Sequence, residues 1–321
     1  MVYTCILMVK TAIKILDHAY FRDKIVPFSE ANVSIMTHAF MYGSAVFEGI
    51  RAYYNKDDNA LYLLHAKEHL SRILNTAKIM RFQTHLSVQE MTDICIEVLK
   101  KNAPKEDAYL RPSWFKDVIR IGPSLVCEDD RDSFIVSAIA LGDYIDTQKG
   151  LNVRTSSWRR VSDTAIPARA KVNGSYVNTG LAKAEAILSG YDDAIFLNED
   201  GHVAEGSAMN LFMVRDGKLI TSMGNENILE GITRSFVTRI AREDLGLEVD
   251  YRSMDRTELY VADEVFFCGT GAQIAPITAI DDYKIGTGKP GVISKKIQDL
   301  YTEICRGKVE KYKEYLIKIA Y

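Results

Sequence analysis

Runs of apolar residues at strand or helix spacing divide the chain into short strands and amphipathic helices. Tyr20-Phe21-Arg22-Asp23-Lys24-Ile25-Val26-Pro27 reads as two strands around a polar turn, and residues 59–64 read as another strand after the polar turn 55–58. Between 66 and 80, Leu70, Ile73, Leu74 and Ala77 recur at helical spacing. A second helix over 87–102 opens on Ser87-x-x-Glu90, a capping box, and lines Met91, Ile94, Cys95, Val98 and Leu99 along one face. Residues 133–140 form a continuous apolar strand.

The polar, glycine-bearing stretch 142–150 then breaks the pattern and is read as a linker. Beyond it come a strand over 151–156, a helix over 179–189 closed by Gly190, and a strand over 194–197. A hairpin turning at Asp216-Gly217, a helix over 232–245 closed by Gly246, and a strand over 264–268 follow. Strands and helices mix without regular βαβ alternation, which predicts an α+β fold. The expected division is a smaller domain over 1–141, the linker 142–150 and a larger domain over 151–321. Gly286-Thr287-Gly288-Lys289-Pro290-Gly291 lacks the spacing of a phosphate loop and is read as a turn.

Composition narrows the class of protein. The chain has 321 residues, is 47% hydrophobic and 26% charged, and carries a formal charge of −3, so it can bury a core but has no overall field to draw nucleic acid or an anionic membrane. Its five cysteines are scattered, with no Cys-x-x-Cys and no close histidine, so neither a disulfide framework nor a zinc site is expected. The apolar opening Met1 to Lys10 is too short to span a bilayer and has no positive leader; it is read as a loose extension of a cytoplasmic protein.

The candidate chemistry lies in two segments. Lys171 sits among small and amide-bearing residues, Ala168-Arg169-Ala170-Lys171-Val172-Asn173-Gly174-Ser175-Tyr176, and 34 residues on Glu205 lies in Val203-Ala204-Glu205-Gly206-Ser207-Ala208-Met209-Asn210-Leu211-Phe212, between the strand-like runs 194–197 and 211–214. A lone lysine is ordinarily a solvated surface group, and Asn-Gly an ordinary turn. Together, the two segments match what pyridoxal phosphate requires: an amine for its aldehyde and an anion for its ring nitrogen. Donors for the phosphate are available at Leu229-Glu230-Gly231-Ile232-Thr233-Arg234, where a glycine precedes a helix, and in the turn Cys268-Gly269-Thr270-Gly271-Ala272. Arg72 could add countercharge, although its helix position alone reads as solvated.

Further motifs occur in a fixed order: Thr37-His38-Ala39-Phe40-Met41-Tyr42-Gly43-Ser44-Ala45-Val46-Phe47-Glu48-Gly49-Ile50-Arg51, then Glu68-His69-Leu70-Ser71-Arg72-Ile73, then Tyr109-Leu110-Arg111-Pro112, then the segments around Lys171, Glu205, Gly231 and Gly269. With these the chain resembles the class IV (fold type IV) pyridoxal phosphate aminotransferases, most of all those acting on branched-chain amino acids, from about Tyr20 to Tyr301. The resemblance implies that Lys171 carries the cofactor as a Schiff base and shuttles protons, that Glu205 pairs with the pyridine nitrogen, and that Tyr176 bonds the ring hydroxyl oxygen. It places the phosphate against Arg72, Leu229, Gly231, Ile232, Thr233 and Thr270. It assigns Tyr42, Phe47, Tyr109, Arg111, Tyr144, Thr270 and the backbone of Gly271 and Ala272 to substrate. Tyr42 would reach the neighbouring subunit's site, so a homodimer is implied. His38 and His69 are read as structural.

Tyr109 and Arg111 share one face of a strand, which sets a hydroxyl beside a guanidinium where a carboxylate can be held. The implied reaction moves the amino group of leucine, isoleucine or valine to 2-oxoglutarate in two half-reactions. Three features depart from the family pattern: Leu141 where an aromatic residue is common, Met209 where an acid is common, and the bulky Ser113-Trp114-Phe115-Lys116-Asp117-Val118-Ile119-Arg120 where a glycine-rich loop is expected. All three bear on substrate preference. The rival readings are a D-amino acid or (R)-amine transaminase, an aminodeoxychorismate lyase, which needs no keto acid, and a non-catalytic small-molecule-binding protein. Tyr109-x-Arg111 argues against the first and the Lys171 and Glu205 pair against the last.

Overall fold

Two sheets organise the chain. The computed structural model describes residues 14–126, 132–142 and 149–321. The first sheet runs, in spatial order, Leu316–Ala320, Ala60–Leu64, Ile50–Asn55, Ala108–Lys116, Asp132–Ala140, His18–Phe21 and Lys24–Pro27, and every described pairing in it is antiparallel. The helices Ala66–Ile79 and Val88–Asn102 cover one face. Leu70, Ile73, Met91, Cys95 and Val98 meet Leu110, Trp114 and Phe134 there in one core. The predicted capping box at Ser87 and Glu90 is present, with both reciprocal hydrogen bonds.

The second sheet is mixed: Val203–Gly206, Asp193–Leu197, Leu151–Arg159, Gln273–Ile280, Glu264–Gly269, Asn210–Arg215, Lys218–Thr221 and Val249–Tyr251. Leu151–Arg159 pairs in parallel with both of its neighbours. Its strands Asp193–Leu197, Asn210–Arg215 and Glu264–Gly269 are buried on both faces, which is why they are near-continuous apolar runs rather than alternating ones. Leu211, Met213, Val265 and Phe267 point into one core, while Phe212, Val214, Phe266 and Cys268 point into another beneath the helices Ile232–Glu243 and Val292–Cys305. The hairpin at Asp216-Gly217 has φ of 50° and 74° at its two central residues, the left-handed pair that a tight two-residue connection requires.

The α+β expectation holds, with several local differences. The helix expected from residue 179 begins at Tyr176, which places that tyrosine on the first turn beside Lys171. Ser113 to Lys116 continue the strand Ala108–Lys116 instead of forming a loop: Trp114 is fully buried, and Lys116 is paired with Asp132 at 3.2 Å, both fully buried. The terminal strand Leu316–Ala320 returns to pair with Ala60–Leu64, so the end of the chain lies in the first sheet rather than with the rest of residues 151–321. The expected linker lies largely outside the described residues, as do Tyr144 and the Met1 to Lys10 extension. Cys95, Cys268 and Cys305 are free and buried, and burial pushes each thiol up to about 12.

Candidate active site

A cavity of 230 Å³ opens between the two sheets, and it gathers most of the residues nominated from the sequence. Phe47, Arg72, Tyr109, Arg111, Lys171, Tyr176, Glu205, Leu229, Gly231, Ile232, Thr233, Thr270 and Gly271 all line it. Ala272 is buried behind this wall, and Tyr42 lies elsewhere, its hydroxyl accepting from the Gly122 N–H at 2.8 Å.

Lys171 is held by the first sheet although it follows the second sheet's longest strand. Its carbonyl accepts from Phe47 N–H at 3.1 Å, its own N–H donates to Thr76 Oγ1 at 3.3 Å, and Val46 bridges Val172. These contacts fix the backbone and leave the side chain to reach into the cavity, where Nζ donates to the Tyr176 hydroxyl at 2.6 Å. The rings of Phe47 and Tyr176 flank the amine at 4.8 and 5.2 Å.

Glu205 is buried at one end of the cavity. Oε1 lies 2.9 Å from Arg160 Nη2, while Oε2 accepts from Asn210 Nδ2 at 2.9 Å and from Leu229 N–H at 3.2 Å. Burial pushes the carboxyl upward, and Arg160, the Leu229 N–H and Lys171 oppose that shift. A cation meeting this group inside the protein therefore gains a partner that water does not fully screen.

The other end is built for an anion. Gly231 caps the helix Ile232–Glu243, whose first N–H groups have no partner within the helix. Asn210 ties this end to the first, because its amide also donates to the Leu229 carbonyl at 2.9 Å; a Cβ on Gly231 would lie 1.9 Å from Asn210 Oδ1.

Arg72 is not solvated, contrary to the reading of its helix position. Its Nε and Nη2 donate to the two oxygens of fully buried Glu48 at 2.6 and 2.8 Å, and Nη1 donates to the Glu230 carbonyl at 2.9 Å. His69 joins the same carboxylate through Nδ1 at 2.7 Å, and its Nε2 lies 3.4 Å from Thr270 Oγ1. Burial alone would raise the Glu48 carboxyl, but Arg72 and His69 outweigh it and hold the group well below the usual carboxylate range. Burial drives His69 down, against the pull of Glu48. His69 thus braces the Glu48 carboxylate, and His38 bonds Ser44 at 2.9 Å.

Arg111 stacks on Phe47 at 4.2 Å and lies 5.5 Å from the Tyr109 ring. Gly49 leaves room for Tyr109: a Cβ there would sit 1.9 Å from the tyrosine oxygen.

An amine beside a phenol, a buried carboxylate at one end and a helix start with an arginine at the other make a donor set that fits pyridoxal phosphate. The family model for amino-transferase class IV matches residues 45–280, which contains this entire constellation. The chain belongs to the class IV aminotransferases. It is 47% identical over 305 residues to the probable branched-chain-amino-acid aminotransferase of Aquifex aeolicus, covering 95% of this chain and 97% of that one. It is 35% identical to the branched-chain-amino-acid aminotransferase of Escherichia coli strain K12, covering 92% and 94%. Among solved structures, the branched-chain aminotransferase of Thermoproteus uzoniensis with norvaline aligns with a TM-score of 0.90 at 38% identity, covering 95% and 99%. The PLP form from Thermobaculum terrenum aligns with a TM-score of 0.91 at 35% identity, covering 96% and 100%.

The sequence reading of this class IV aminotransferase left four supporting residues unassigned: Glu48, Thr76, Arg160 and Asn210. Glu48 and Asn210 stood inside motifs already singled out. Thr76 and Arg160 carried no local signal, because their partners Lys171 and Glu205 are remote in sequence. Among the described residues, no helix is long and apolar enough to cross a membrane.

Proposed function

We propose that the chain is a pyridoxal phosphate-dependent aminotransferase that moves the amino group of L-leucine, L-isoleucine or L-valine to 2-oxoglutarate, with a keto acid and glutamate as products. The observation that carries the reading is the Lys171 amine, 2.6 Å from the Tyr176 hydroxyl, in a cavity that also holds buried Glu205 and the helix start at Gly231. The named activity of relatives that align over nearly the whole chain supplies the substrate class.

When bound, the cofactor supplies an electron sink for the bond broken at the substrate's α-carbon. The protein's groups do the rest. Lys171 would hold the cofactor through Nζ between turnovers and, once displaced by the incoming amine, would carry the substrate's α-proton on Nζ. Tyr176 steadies Nζ. Glu205, whose charged form Arg160 favours from 2.9 Å, would pair with a protonated ring nitrogen. Arg72, Ile232, Thr233, Thr270 and the N–H groups after Gly231 hold the phosphate, with Leu229 beside them. Phe47, Tyr109, Arg111, Tyr144, Thr270 and the Gly271 and Ala272 backbone receive the substrate, whose carboxylate meets the Tyr109 and Arg111 pair. Met209, which lines the cavity, gives its wall an apolar surface where an acid would repel an aliphatic side chain.

Tyr42 would then serve a second copy of the chain. It ends the helix His38–Tyr42, which exposes Phe40 and Met41, and Ile119 and Ile121 in the loop after the strand Ala108–Lys116 are exposed as well; a homodimer would cover these side chains. The same reading divides the chain into 1–141, a linker 142–150 and 151–321, with the last strand returning to the first unit, in a cytoplasmic enzyme.

The test is a pair of half-reactions. Adding L-leucine or L-valine to the loaded protein should bleach the cofactor's absorption band, and 2-oxoglutarate should restore it. Bleaching by a D-amino acid alone would refute the substrate assignment.

A further inference from the structure

Arg51 is a buried cation with no carboxylate partner among the described residues. It is 1% exposed and lies on the strand Ile50–Asn55, directly opposite Tyr109 in the ladder to Ala108–Lys116. Cross-strand partners point to the same face, so its guanidinium runs alongside a residue of the cavity wall. Three backbone carbonyls take up its charge: Nη2 donates to Leu141 at 2.6 Å and Gly142 at 2.9 Å, and Nη1 donates to Gly271 at 3.2 Å. The face of Tyr53 lies 5.3 Å from it. Its Nε has no hydrogen-bond partner.

This arrangement is costly unless it does something geometric. A buried guanidinium is ordinarily offset by an acid, whereas here it is offset by carbonyl dipoles from two segments remote in sequence from each other and from the strand. Those segments are the end of the strand leading into the 142–150 stretch and the turn after Glu264–Gly269. The turn carries Thr270 and Gly271, both on the cavity wall. Drawing the Gly271 carbonyl outward onto Arg51 fixes the plane of the following peptide, so the Ala272 N–H is aimed to the opposite side.

We propose that Arg51 is a positioning residue for substrate binding, setting the backbone at 270–272 and the start of the linker in one register on the cavity wall that receives the substrate. The proposal rests on the reading that this backbone, with Tyr109 and Arg111, receives the substrate. A planar fork spanning two segments is required, which lysine supplies only in part as a point donor.

The test compares loaded wild-type enzyme with Arg51→Lys and Arg51→Met. Leucine KM should rise about tenfold or more in Arg51→Met, the loss of roughly one hydrogen bond to a charged substrate group, and less in Arg51→Lys. The kcat should stay within about threefold of wild type and the melting temperature unchanged, because uniform binding alone is lost. Parallel losses in KM, kcat and melting temperature would make Arg51 merely structural and overturn the proposal, as would an unchanged KM. If Arg51→Met does not fold, the same split read on Arg51→Lys decides. A loaded wild-type enzyme that leucine fails to bleach would refute the site reading itself, and the proposal with it.

Discussion

Replacing Glu48 with Gln tests whether the cavity's electrostatics rest on a single buried carboxylate. The side chain is fully buried and receives three hydrogen bonds, at 2.6 and 2.8 Å from Arg72 and at 2.7 Å from His69. An amide is nearly isosteric but uncharged, and its NH2 would face at least one N–H donor that now meets an oxygen. Arg72 would retain only the Glu230 carbonyl. Breaking a buried pair from one side costs about 3–5 kcal/mol, since the remaining charge is stranded. With a urea slope of about 3 kcal/mol/M, the midpoint of the cofactor-free protein should fall by roughly 1 M or more.

The pH dependence fixes the cause. The folded carboxyl is depressed below its ordinary value of 4.5, so its contribution is complete above that pH and is lost as pH falls toward the folded value. The gap between wild type and Glu48→Gln should therefore be constant from pH 7 down to 5 and then close by about 1.4 kcal/mol per unit below 4.5. Urea titrations at pH 7, 5 and 3.5 measure it. A loss under about 1 kcal/mol at pH 7, or a gap that ignores pH, would refute the assignment of Glu48 as the ionised anchor of Arg72.

Lys171→Ala should fold as wild type does yet show no covalent cofactor band, and added alkylamine should restore part of the proton transfer; a normal band would remove the lysine from its role. Gly49→Ala sets a Cβ 1.9 Å from the Tyr109 oxygen, so it should cost about 1–3 kcal/mol in stability and raise the leucine KM; crystallography of the variant would show the tyrosine displaced. Arg160→Met strands Glu205 and should destabilise the cofactor-free protein by about 3–5 kcal/mol at pH 7. Because burial already raises the Glu205 carboxyl, that loss should vanish as acid neutralises it, and equal losses at pH 7 and pH 4 would contradict the pairing.

The strands and helices with strong periodicity were legible from the sequence because each buries a face set by local spacing: Leu70, Ile73 and Ala77 mark the helix Ala66–Ile79, and Met91, Cys95 and Val98 mark Val88–Asn102. The other side of the first helix was misleading for the same reason. Arg72 reads as solvated from its helix position, yet it lies with His69 and Thr76, three residues before and four after it, under the cavity wall. Burial there depends on Glu48, Thr270 and Lys171, which no local pattern can predict. The terminal strand Leu316–Ala320 was missed on similar grounds, since its pairing with Ala60–Leu64 is remote along the chain.

That misreading shows how the site is assembled. Lys171 and Tyr176, proposed for the cofactor's reactive end, sit on loop and helix of the second half, but the backbone of Lys171 is fixed by Phe47 and Thr76 of the first. Conversely, Arg72 of the first half is completed by the Glu230 carbonyl of the second. Each half therefore supplies chemistry that the other orients, and neither holds a working cavity alone. Rigid sheets on both sides give the placement that proton transfer at a lysine needs, whereas a site built within one sheet would leave the substrate end open to water. The sequence motifs are distributed along nearly the whole chain for that physical reason: the cavity lies between the two sheets, and both line it.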